Sequence, residues 1–578
     1  MKQEHFTRKM FYRFLAPSLV CSAALAFGNI VDALVVGARM GEAGLAAINL
    51  VLPIYMVFNV FDIGLSVGGS IEYARLLGEG RAKAAKVHFN RMLMAALFIS
   101  ILFAVLGNLF LPQILYGLGA TAKGSALYQM SHTYAKILVS ASPLFFLNFL
   151  LYYFIRNDDN QKLASIGFVV GNALDIVLNY VFVILMDYGI AGAVWSTVIG
   201  QAASIAVYLP HLFIKHNILG LQAVRPDLGE IFKSFRIGLS TSNQYMFQFM
   251  FLLLANNILM RISGEGGVAI LDVVLNTSFV ALCFFEAMVS TLQPLASTFT
   301  GEKNKSSATG VLRMSFFWGM GLSASLILVI AIFSADVCGI FGLRENTALG
   351  GYALRLVCAG SVFAGVSMIM SAYYQSSGQA KWSFTIGILR NFILLLPLTV
   401  AFGFTGSGLF WWVFPITEAA SLAVWALMRR LSRAERTARA MDETRIYNRI
   451  IENKDEDIGM LISDVQEFCD KWDADAKQSY YVTMTVEEIC QSIIKNAFGP
   501  RGGEYIHLTL IAGETGEFEL HIRDNATTFN PFDMITKKVE INDTEKELDS
   551  LGILMIKNKA KDFFYRRYQG FNTLTVRV

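Results

Sequence analysis

Acidic side chains inside long apolar segments are the residues of this sequence best placed to do chemistry. Asp32 lies about two-thirds of the way along the first such segment, which carries Pro17 near its start. The fifth segment contains Asn172, Asp175 and Asn179 at positions i, i+3 and i+7, along one face of a helix. An ionisable group inside hydrocarbon is costly, and it marks a pathway or an ion site more often than a surface charge does.

Two kinds of chemistry fit these carboxylates. Desolvation and a second carboxylate nearby would allow Asp32 or Asp175 to take up and release a proton near neutral pH. Carboxylates together with amide oxygens also suit a hard cation such as sodium. A satisfied hydrogen bond between helices is the structural alternative. It fits Asp175 better than Asp32, because an unpaired aspartate in the middle of a segment has fewer structural explanations.

The composition identifies the elements that must position these residues. The chain has 578 residues, of which 54% are hydrophobic and 16% charged, with a mean hydropathy of +0.48. Apolar runs long enough to cross a bilayer recur from about Phe11 to Leu427. A water-soluble, disordered or disulfide-scaffold protein is excluded, and the net charge of +3 does not favour nucleic-acid binding. The six cysteines form no C-x-x-C pair, so no metal site is predicted.

The composition changes once, near Arg429. Upstream there is room for about twelve helices, whereas downstream the chain is charged and shows alternating strand patterns. We therefore predict an all-α polytopic membrane protein with twelve transmembrane helices in two six-helix lobes, followed by a C-terminal α/β cytoplasmic domain of the α+β sandwich type. The predicted boundaries are 1–220 for the N-lobe, 221–430 for the C-lobe, 431–446 for a linker and 447–578 for the tail domain.

An internal repeat supports the two lobes. GARMGEAGLAAINLVLP (37–53) and DIGLSVGGSIEYARLLGEG (62–80) have weaker echoes in RISGEGGVAILDVVLN (261–276) and FEAMVSTLQPLASTFTGEK (285–303), at a constant separation of 223 residues. Under that offset Asp62 and Glu286 lie one residue apart. Either residue lines a cavity between the halves or sits beside a helix break. Lys and Arg are concentrated in the loops on one side of the predicted bundle, which predicts that both termini are cytoplasmic.

Several motifs in combination resemble one transporter family. They are N-I-V-D-A-L-V-V-G-A-R-M-G-E-A-G-L-A-A (29–47), the proline fifteen residues before the aspartate, G-I-A-G-A-V-W-S-T-V-I-G-Q (189–201) and L-Q-P (292–294). Together they resemble the multidrug and toxic compound extrusion (MATE) family over about residues 8–430. The resemblance implies two six-helix bundles facing a central cleft. It also implies exchange of organic, often cationic, compounds for protons or sodium by alternating access.

The resemblance also implies a set of site residues. The family's N-lobe site falls on Asp32, on Asp175 with Asn179, and on Thr197, while Asn172 shares their helix face and Pro17 is the residue where the first helix bends. Members usually read N-x-x-x-D in the fifth helix, whereas this chain has the two residue types exchanged. The acids of a C-lobe cation site found in another branch are replaced by other residues. The cavity candidates are Asp62 and Glu286 from the repeat, together with Gln244, Gln248 and Tyr373 from the spans where those acids would lie.

The tail resembles the ATP-binding fold of histidine kinases and anti-sigma-factor kinases, through TVEEICQSIIKNAFG (485–499), IRDNATTFNPF (522–532) and the segment from residue 550 to the end. The resemblance places a general base at Glu488 and an adenine-binding acid at Asp524, and one phosphate-loop glycine is retained at Gly552. The magnesium-binding Asn is replaced by Ser492, for which Asn496 is a partial substitute, and three glycines are lost. ATP and magnesium binding is therefore predicted to be weakened, and a regulatory or dimerising module is the alternative.

We predict a secondary transporter and not an enzyme: an antiporter coupled to protons or sodium, in a bacterial plasma membrane, with a regulatory tail. Its partners are a small organic substrate and membrane lipid, with dimerisation or a protein partner through residues 447–578, and no nucleic acid. No cofactor is certain apart from the coupling ion. Two alternatives stay open. A flippase for a lipid-linked precursor would favour a cleft rich in Arg and Lys, of which the membrane half offers little beyond Arg390. A receptor signalling through the tail is disfavoured by the degenerate nucleotide motifs.

Overall fold

The computed structural model describes ten stretches of the chain. They are residues 2–118, 125–214, 218–340, 347–431, 444–452, 455–499, 504–513, 516–535, 544–568 and 571–578. Within the helices, some side chains lie outside the described residues, and that of Asp32 is among them.

The prediction of twelve membrane spans is confirmed. Eleven helices among the described residues are long and apolar enough to cross a membrane, and two further helices bent by 51° complete a twelfth span. Spans 1 to 12 are Thr7–Gly28, Leu50–Gly78, Ala82–Leu109, Ala126–Ser140 with Ser142–Asn157, Gln161–Leu185, Gly189–Phe213, Leu228–Gly264, Gly266–Gly301, Lys305–Ile332, Thr347–Ser376, Ala380–Gly403 and Gly408–Arg430. Spans 1 and 2 belong to one helical stretch, Lys2–Gly78, and spans 7 and 8 to another, Leu228–Gly301.

The irregularities of the spans have local causes. Pro143 lies in the first turn after the bend of span 4, where its missing N–H is tolerated. The break between spans 7 and 8 falls at Gly264, whose φ of 62° is readily adopted by glycine. Spans 5 and 11 contain π-helical turns at Tyr180–Leu185 and Leu389–Ile393, a feature frequent at functional sites. Short helices outside the spans are Leu111–Gly117 and Ser334–Ile340.

Glycines bring spans 2, 7 and 8 into backbone contact. A Cβ atom at Gly68 of span 2 would lie 2.0 Å from the carbonyl oxygen of Ser234 in span 7. At the ends of spans 2 and 8, a Cβ at Gly78 would lie 2.3 Å from the carbonyl oxygen of Thr298, and one at Gly301 would lie 2.2 Å from that of Arg75. The two halves of the membrane domain therefore touch at this end, which we call the tail side because the tail domain packs there.

The tail domain is a five-stranded antiparallel sheet with helices on one face. The strand order is β1-β2-β3-β5-β4. The strands are β1 Ile446–Glu452, β2 Tyr505–Ala512, β3 Phe518–Asp524, β4 Asp562–Tyr568 and β5 Phe571–Arg577, and the helices are Asp455–Lys471, Ala476–Ala497 and Thr544–Lys559, with a 3₁₀ turn at Pro531–Ile535. Apolar side chains from one sheet face, such as Leu508, Ile522 and Leu574, form the core with these helices.

The opposite face of this sheet is polar but also buried. His507, Arg523 and Thr573 occupy facing positions on β2, β3 and β5, and each is at most 4% exposed. An antiparallel sheet with helices on one face ordinarily leaves the other face to water. Here the membrane domain covers it: Phe571 of β5 joins an apolar cluster with Phe11 and Phe299.

Candidate ion-binding and substrate sites

A polar cavity of about 230 Å³ lies within the N-lobe, between spans 1, 2, 4, 5 and 6. Three of the predicted site residues, Asn172, Asp175 and Thr197, line it. Spans 5 and 6 approach closely here because both carry glycine: a Cβ at Gly200 would lie 3.1 Å from the Cβ of Asp175. The structure thus brings a carboxylate, an amide and a hydroxyl from two neighbouring spans to one cavity.

The amide of Asn172 connects this cavity to span 1. Its Nδ2 donates a hydrogen bond to the carbonyl oxygen of Phe168, one turn earlier in the same helix, at 2.8 Å. Its Oδ1 faces Gly28 of span 1, where a Cβ atom would lie 3.7 Å away. Position 32 is four residues after Gly28 and therefore on the same helix face. The prediction for Asp32 itself falls on a side chain outside the described residues.

Two predicted residues of the N-lobe differ from expectation in their surroundings. Asn179 is 2% exposed and, among the residues placed in the structure, is not part of the cavity lining. The predicted common face therefore holds for Asn172 and Asp175 within the cavity, while Asn179 is buried one turn beyond it. Pro17 lies inside the uninterrupted helix Lys2–Gly78, and its role in bending the first helix stays a prediction.

A second polar pair in the cavity was not predicted from the sequence. Nδ2 of Asn148 in span 4 donates a hydrogen bond to Oε1 of Gln201 in span 6, and both residues line the cavity. Gln201 is four residues after Thr197, so the helical period that aligned the residues of span 5 would also have identified it. No comparable pattern marks Asn148, because its partner is on another span.

Asp62 is a fully buried carboxylate in span 2. Its side chain is 0% exposed, and its Oδ1 accepts one hydrogen bond, from the hydroxyl of Ser66 at 3.2 Å. Its Oδ2 has no hydrogen-bond partner in the part of the chain that the structure describes. Tyr55, one of the cavity-lining residues, interacts electrostatically with both Asp62 and Asp175. A buried carboxylate this poorly compensated requires a proton or a cation.

Glu286 in span 8 lies near groups of both lobes. Its side chain is exposed although it lies well inside span 8. It interacts electrostatically with Tyr153 of the N-lobe and with Tyr245 and Arg390 of the C-lobe. That Glu286 lines a cavity between the halves stays a prediction, and Asp62, its repeat counterpart, is enclosed.

The remaining cavity candidates lie at partly buried positions of spans 7 and 10. Gln244 and Gln248 are partly buried on span 7, and Gln244 contributes a side-chain hydrogen bond to Tyr245. Tyr373 is partly buried in span 10 and packs edge-on against Tyr374, with 5.9 Å between the ring centroids. Tyr373 therefore lies against apolar clusters, and its part in a substrate cavity stays a prediction.

The C-lobe contains an ion pair between spans 11 and 12. Nε of Arg390 in span 11 donates to Oε1 of Glu418 in span 12 at 2.6 Å, and both side chains are less than one-fifth exposed. Arg156, near the end of span 4, is 1% exposed and donates a hydrogen bond to Gln293 of span 8 at 3.4 Å. Loop composition alone did not show that the end of span 4 is covered by the other lobe.

The nucleotide-site residues of the tail are engaged with each other. Burial raises the pKa of Asp524 to about 6, although its Oδ1 accepts hydrogen bonds from Asn572 Nδ2 and the Ala526 backbone N–H. A Cβ atom at Gly552 would lie 2.1 Å from Oε2 of Glu488, so this carboxylate packs directly on the retained glycine.

The two remaining tail candidates lie on the same helix. Asn496 is exposed and donates to the backbone oxygen of Ser492 at 2.9 Å. Among the described residues, no group of three or more His, Cys, Asp or Glu side chains is arranged to hold a metal ion. Whether this part of the tail takes a nucleotide stays a prediction.

The fold and its sites define a polytopic membrane transporter with a tail domain. The sequence matches the profile of the MatE family over residues 17–181 and 241–401, which is more than half of the chain. The chain therefore belongs to the MatE family of multidrug efflux transporters. The tail matches the histidine kinase-like ATPase domain over residues 451–578, so both predicted resemblances are confirmed.

Individual proteins agree with this division. The probable multidrug resistance protein YoeA of Bacillus subtilis is 23% identical over 406 residues, covering 67% of this chain and 84% of YoeA. A solved outward-facing multidrug resistance MATE family transporter of the MOP superfamily shares the fold, with a TM-score of 0.68 and 19% identity over 74% of this chain and 95% of that one. The serine/threonine-protein kinase BtrW of Bordetella bronchiseptica is 26% identical over 107 residues, covering 18% of this chain and 73% of the kinase.

Proposed function

We propose that this protein is a cation-coupled antiporter that exports organic, cationic or amphipathic compounds by alternating access, with protons or sodium as the coupling ion. The observation that carries the proposal is the N-lobe cavity, which gathers Asn172, Asp175 and Thr197 beside span 1. Family membership supplies the transporter class. The tail side is cytoplasmic in this proposal, and the membrane is the bacterial plasma membrane.

Neutralisation of the N-lobe carboxylates is the coupling step. Asp32 lies one helical turn beyond the contact between Gly28 and Asn172, which brings its helix position next to the polar cavity. Uptake of a proton or sodium ion removes the cost of a bare carboxylate in hydrocarbon and changes how spans 1 and 5 pack. Tyr55 joins this cavity to Asp62, so the enclosed carboxylate of span 2 responds to the same ion.

Substrate binds in the space between the lobes. Glu286 supplies a negative charge there, and Tyr153 and Tyr245 flank it with aromatic rings, one from each lobe. A carboxylate beside aromatic faces suits an organic cation. Because the groups come from both lobes, movement of one lobe against the other separates them, as alternating access requires.

The coupling role is tested by exchanging one carboxylate in everted vesicles loaded with a fluorescent organic cation. Asp32→Asn keeps the shape of the side chain but removes its titration, and we expect gradient-driven transport to be abolished. Asp187→Asn is the matched control, because Asp187 is exposed and pairs with Arg39 outside the cavity. Unchanged transport in the Asp32 variant would reject the proposed coupling.

The tail regulates transport by holding the two lobes together. The turns that follow spans 2 and 8 carry the repeated Gly-Glu motif, and the polar face of the tail sheet contacts both. Arg577 Nη2 donates to the backbone oxygen of Glu79 at 2.5 Å, and Arg523 forms a buried ion pair with Glu302. One rigid sheet thus spans a turn of each lobe, and separation of the lobes on this side requires its release.

The ion pair between Glu302 and Arg523 is the most sensitive part of this contact. Both side chains are at most 5% exposed, and a buried charge left without its partner typically costs about 3 to 5 kcal/mol. We expect Glu302→Gln to weaken docking of the tail and to raise the initial rate of gradient-driven efflux severalfold.

Glu79→Gln is the matched control for this experiment. The Glu79 side chain pairs with Arg75 and Arg81, and only its backbone oxygen meets the tail, so the rate should stay near that of the parent protein. An unchanged rate in Glu302→Gln would mean that this contact does not restrain transport, and a lower rate would mean that the docked tail supports it.

A further inference from the structure

A cleft on the tail side has a lining unlike that of the transport cavities. Its volume is about 940 Å³, and it lies between the starts of spans 1 and 9 and strand β1 of the tail. Four lining residues are cationic, namely Arg8, Lys303, Lys305 and Arg313, and none of the described lining residues is acidic. The cleft is therefore strongly positive, whereas the protein as a whole carries a net charge of only +3.

Span 9 arranges hydrogen-bond donors along one wall. Lys305, Thr309 and Arg313 recur at every fourth position, which places them on one helix face. Gly310 adds no side chain beside them, and a Cβ there would already lie 3.5 Å from the methyl group of Thr7 on the opposite wall. Two cationic donors with a hydroxyl between them form a surface that matches the oxygens of a phosphate group.

A carboxylate near the cleft, that of Glu519, leaves this charge largely in place. Glu519 of β3 interacts electrostatically with Lys303. It is already engaged by His521, whose Nε2 lies 2.9 Å from Glu519 Oε1, and by Arg577 at 3.7 Å. Hydrogen bonding by His521 and the neighbouring cations hold the pKa of Glu519 below its usual range against the opposing effect of burial. One carboxylate engaged by His521, Arg577 and Lys303 does not neutralise the cleft.

The wall farther along span 9 is aromatic. Tyr12 and Trp318 meet edge-on with 5.8 Å between ring centroids, and the Arg8 guanidinium lies 5.8 Å from the Tyr12 ring. Phe317 is 73% exposed and also lines the cleft. From Lys305 to Phe317 the helix rises about 18 Å, so the lining changes from cationic to aromatic on going from the membrane surface into the bilayer.

We infer that this cleft binds an anionic phospholipid, with its phosphate between Arg8, Lys305 and Arg313 and its apolar part along Tyr12, Phe317 and Trp318. The orientation of the lipid rests on the proposed function, which puts the tail side in the cytoplasm. Soluble phosphate compounds share the headgroup chemistry but leave the aromatic wall unused. Ile446 and Asn448 of β1 close the cleft, so the bound lipid also contacts the docked tail.

The test measures lipid binding to the purified full chain by native mass spectrometry in a neutral detergent. Phosphatidylglycerol and phosphatidylcholine are compared as lipid probes, and ATP and inorganic phosphate as soluble probes. We expect tight binding of phosphatidylglycerol alone, and an affinity at least tenfold weaker in Arg8→Gln/Arg313→Gln. The control, Lys162→Gln/Lys381→Gln, removes the same charge from exposed positions outside the cleft.

The outcomes separate this inference from its competitors. An equal loss in both double variants would show that lipid responds to general surface charge, and the site would be rejected. Competition by ATP or inorganic phosphate, with no preference for phosphatidylglycerol, would assign the cleft to a soluble ligand and overturn the lipid. The thermal midpoint of each variant without lipid shows whether it is folded. Because binding is measured without transport, failure of the antiporter proposal leaves this result interpretable.

Discussion

The N-lobe cavity and the nucleotide-site residues of the tail differ in what their polar groups face. In the N-lobe, Asp175 and Thr197 border a cavity that has room for an ion. In the tail, Asp524 accepts hydrogen bonds from Asn572 and Ala526, and Glu488 packs on Gly552. Both regions match known families, but among the described residues the carboxylate of Asp175 borders a cavity, whereas those of Asp524 and Glu488 contact neighbouring protein atoms.

Membership of a family and the presence of an open binding site are therefore separate properties. In the tail, the Glu488 carboxylate packs on the retained Gly552, while the glycines of spans 5 and 6 allow these two spans of the N-lobe to approach closely. The C-lobe is a third case, since Arg390 and Glu418 form an ion pair at 2.6 Å. We therefore expect ion dependence in the N-lobe and structural roles for the other two sets of charges.

The largest effect predicted in this comparison concerns the stability of the tail, in which we regard Asp524 as a structural carboxyl group. Its folded-state pKa of about 6 is raised above the ordinary value of about 3.9, so its stabilising contribution is present below pH 4 and is lost as pH rises through 6. The loss corresponds to roughly 2 to 3 kcal/mol. Asp524→Asn removes this titration, so the variant's tail should be the more stable one at pH 8.

Hydrogen exchange of strands β3 and β5 in the full chain measures that prediction. The ratio of protection factors between the parent protein and Asp524→Asn should change between pH 5 and pH 8, because the intrinsic exchange rate cancels in the ratio. A ratio that stays constant over this range would show that Asp524 does not titrate there and that its environment is more polar than its burial indicates.

A smaller effect is expected from removing one oxygen from the N-lobe cavity. Thr197→Val preserves shape but loses a hydroxyl, and we expect the apparent affinity for the coupling ion to fall about tenfold, equivalent to about 1.4 kcal/mol. Ser196→Ala is the control, because the hydroxyls of Ser196 and Thr197 both donate to the carbonyl oxygen of Ala193, but Ser196 is outside the described cavity lining. Equal effects of the two changes would argue against a site at Thr197.

The smallest predicted effect is that of nucleotide on the tail. Titration of the full chain with ATP and magnesium should give no saturable heat, because the groups that would hold them are engaged within the protein. A saturable signal that disappears in Glu488→Gln would show that the tail retains a working nucleotide site, and the contrast between the two regions would fail.

Apolar runs predicted the twelve spans, whereas the internal repeat and the family resemblances predicted the two lobes and the fold of the tail. The bend of span 4 was not predicted, although Pro143 marks it, because proline is also common in unbroken spans. The burial of Arg156 was missed for a different reason. Its surroundings come from the other lobe, and the sequence of one segment carries no information about such a neighbour.

The same limit applies to the sites. The helical period placed Asn172 and Asp175 on one face, and the structure puts both in the cavity. The pairing of Asn148 with Gln201 depends on how spans 4 and 6 are packed, so it could not be read from either span. Docking of the tail was also beyond the sequence, since the polar alternation of β2 and β3 predicts a solvated face and not one covered by the membrane domain.

Gradient-driven efflux in proteoliposomes tests the central claim most directly, when an N-lobe carboxylate is compared with the C-lobe ion pair. Asp175→Asn should lose the dependence of efflux on the ion gradient, whereas Arg390→Met/Glu418→Met should retain it, because a mutually compensated pair can be replaced by apolar residues at little cost. Retained coupling in Asp175→Asn together with lost coupling in the double variant would contradict the assignment of ion coupling to the N-lobe.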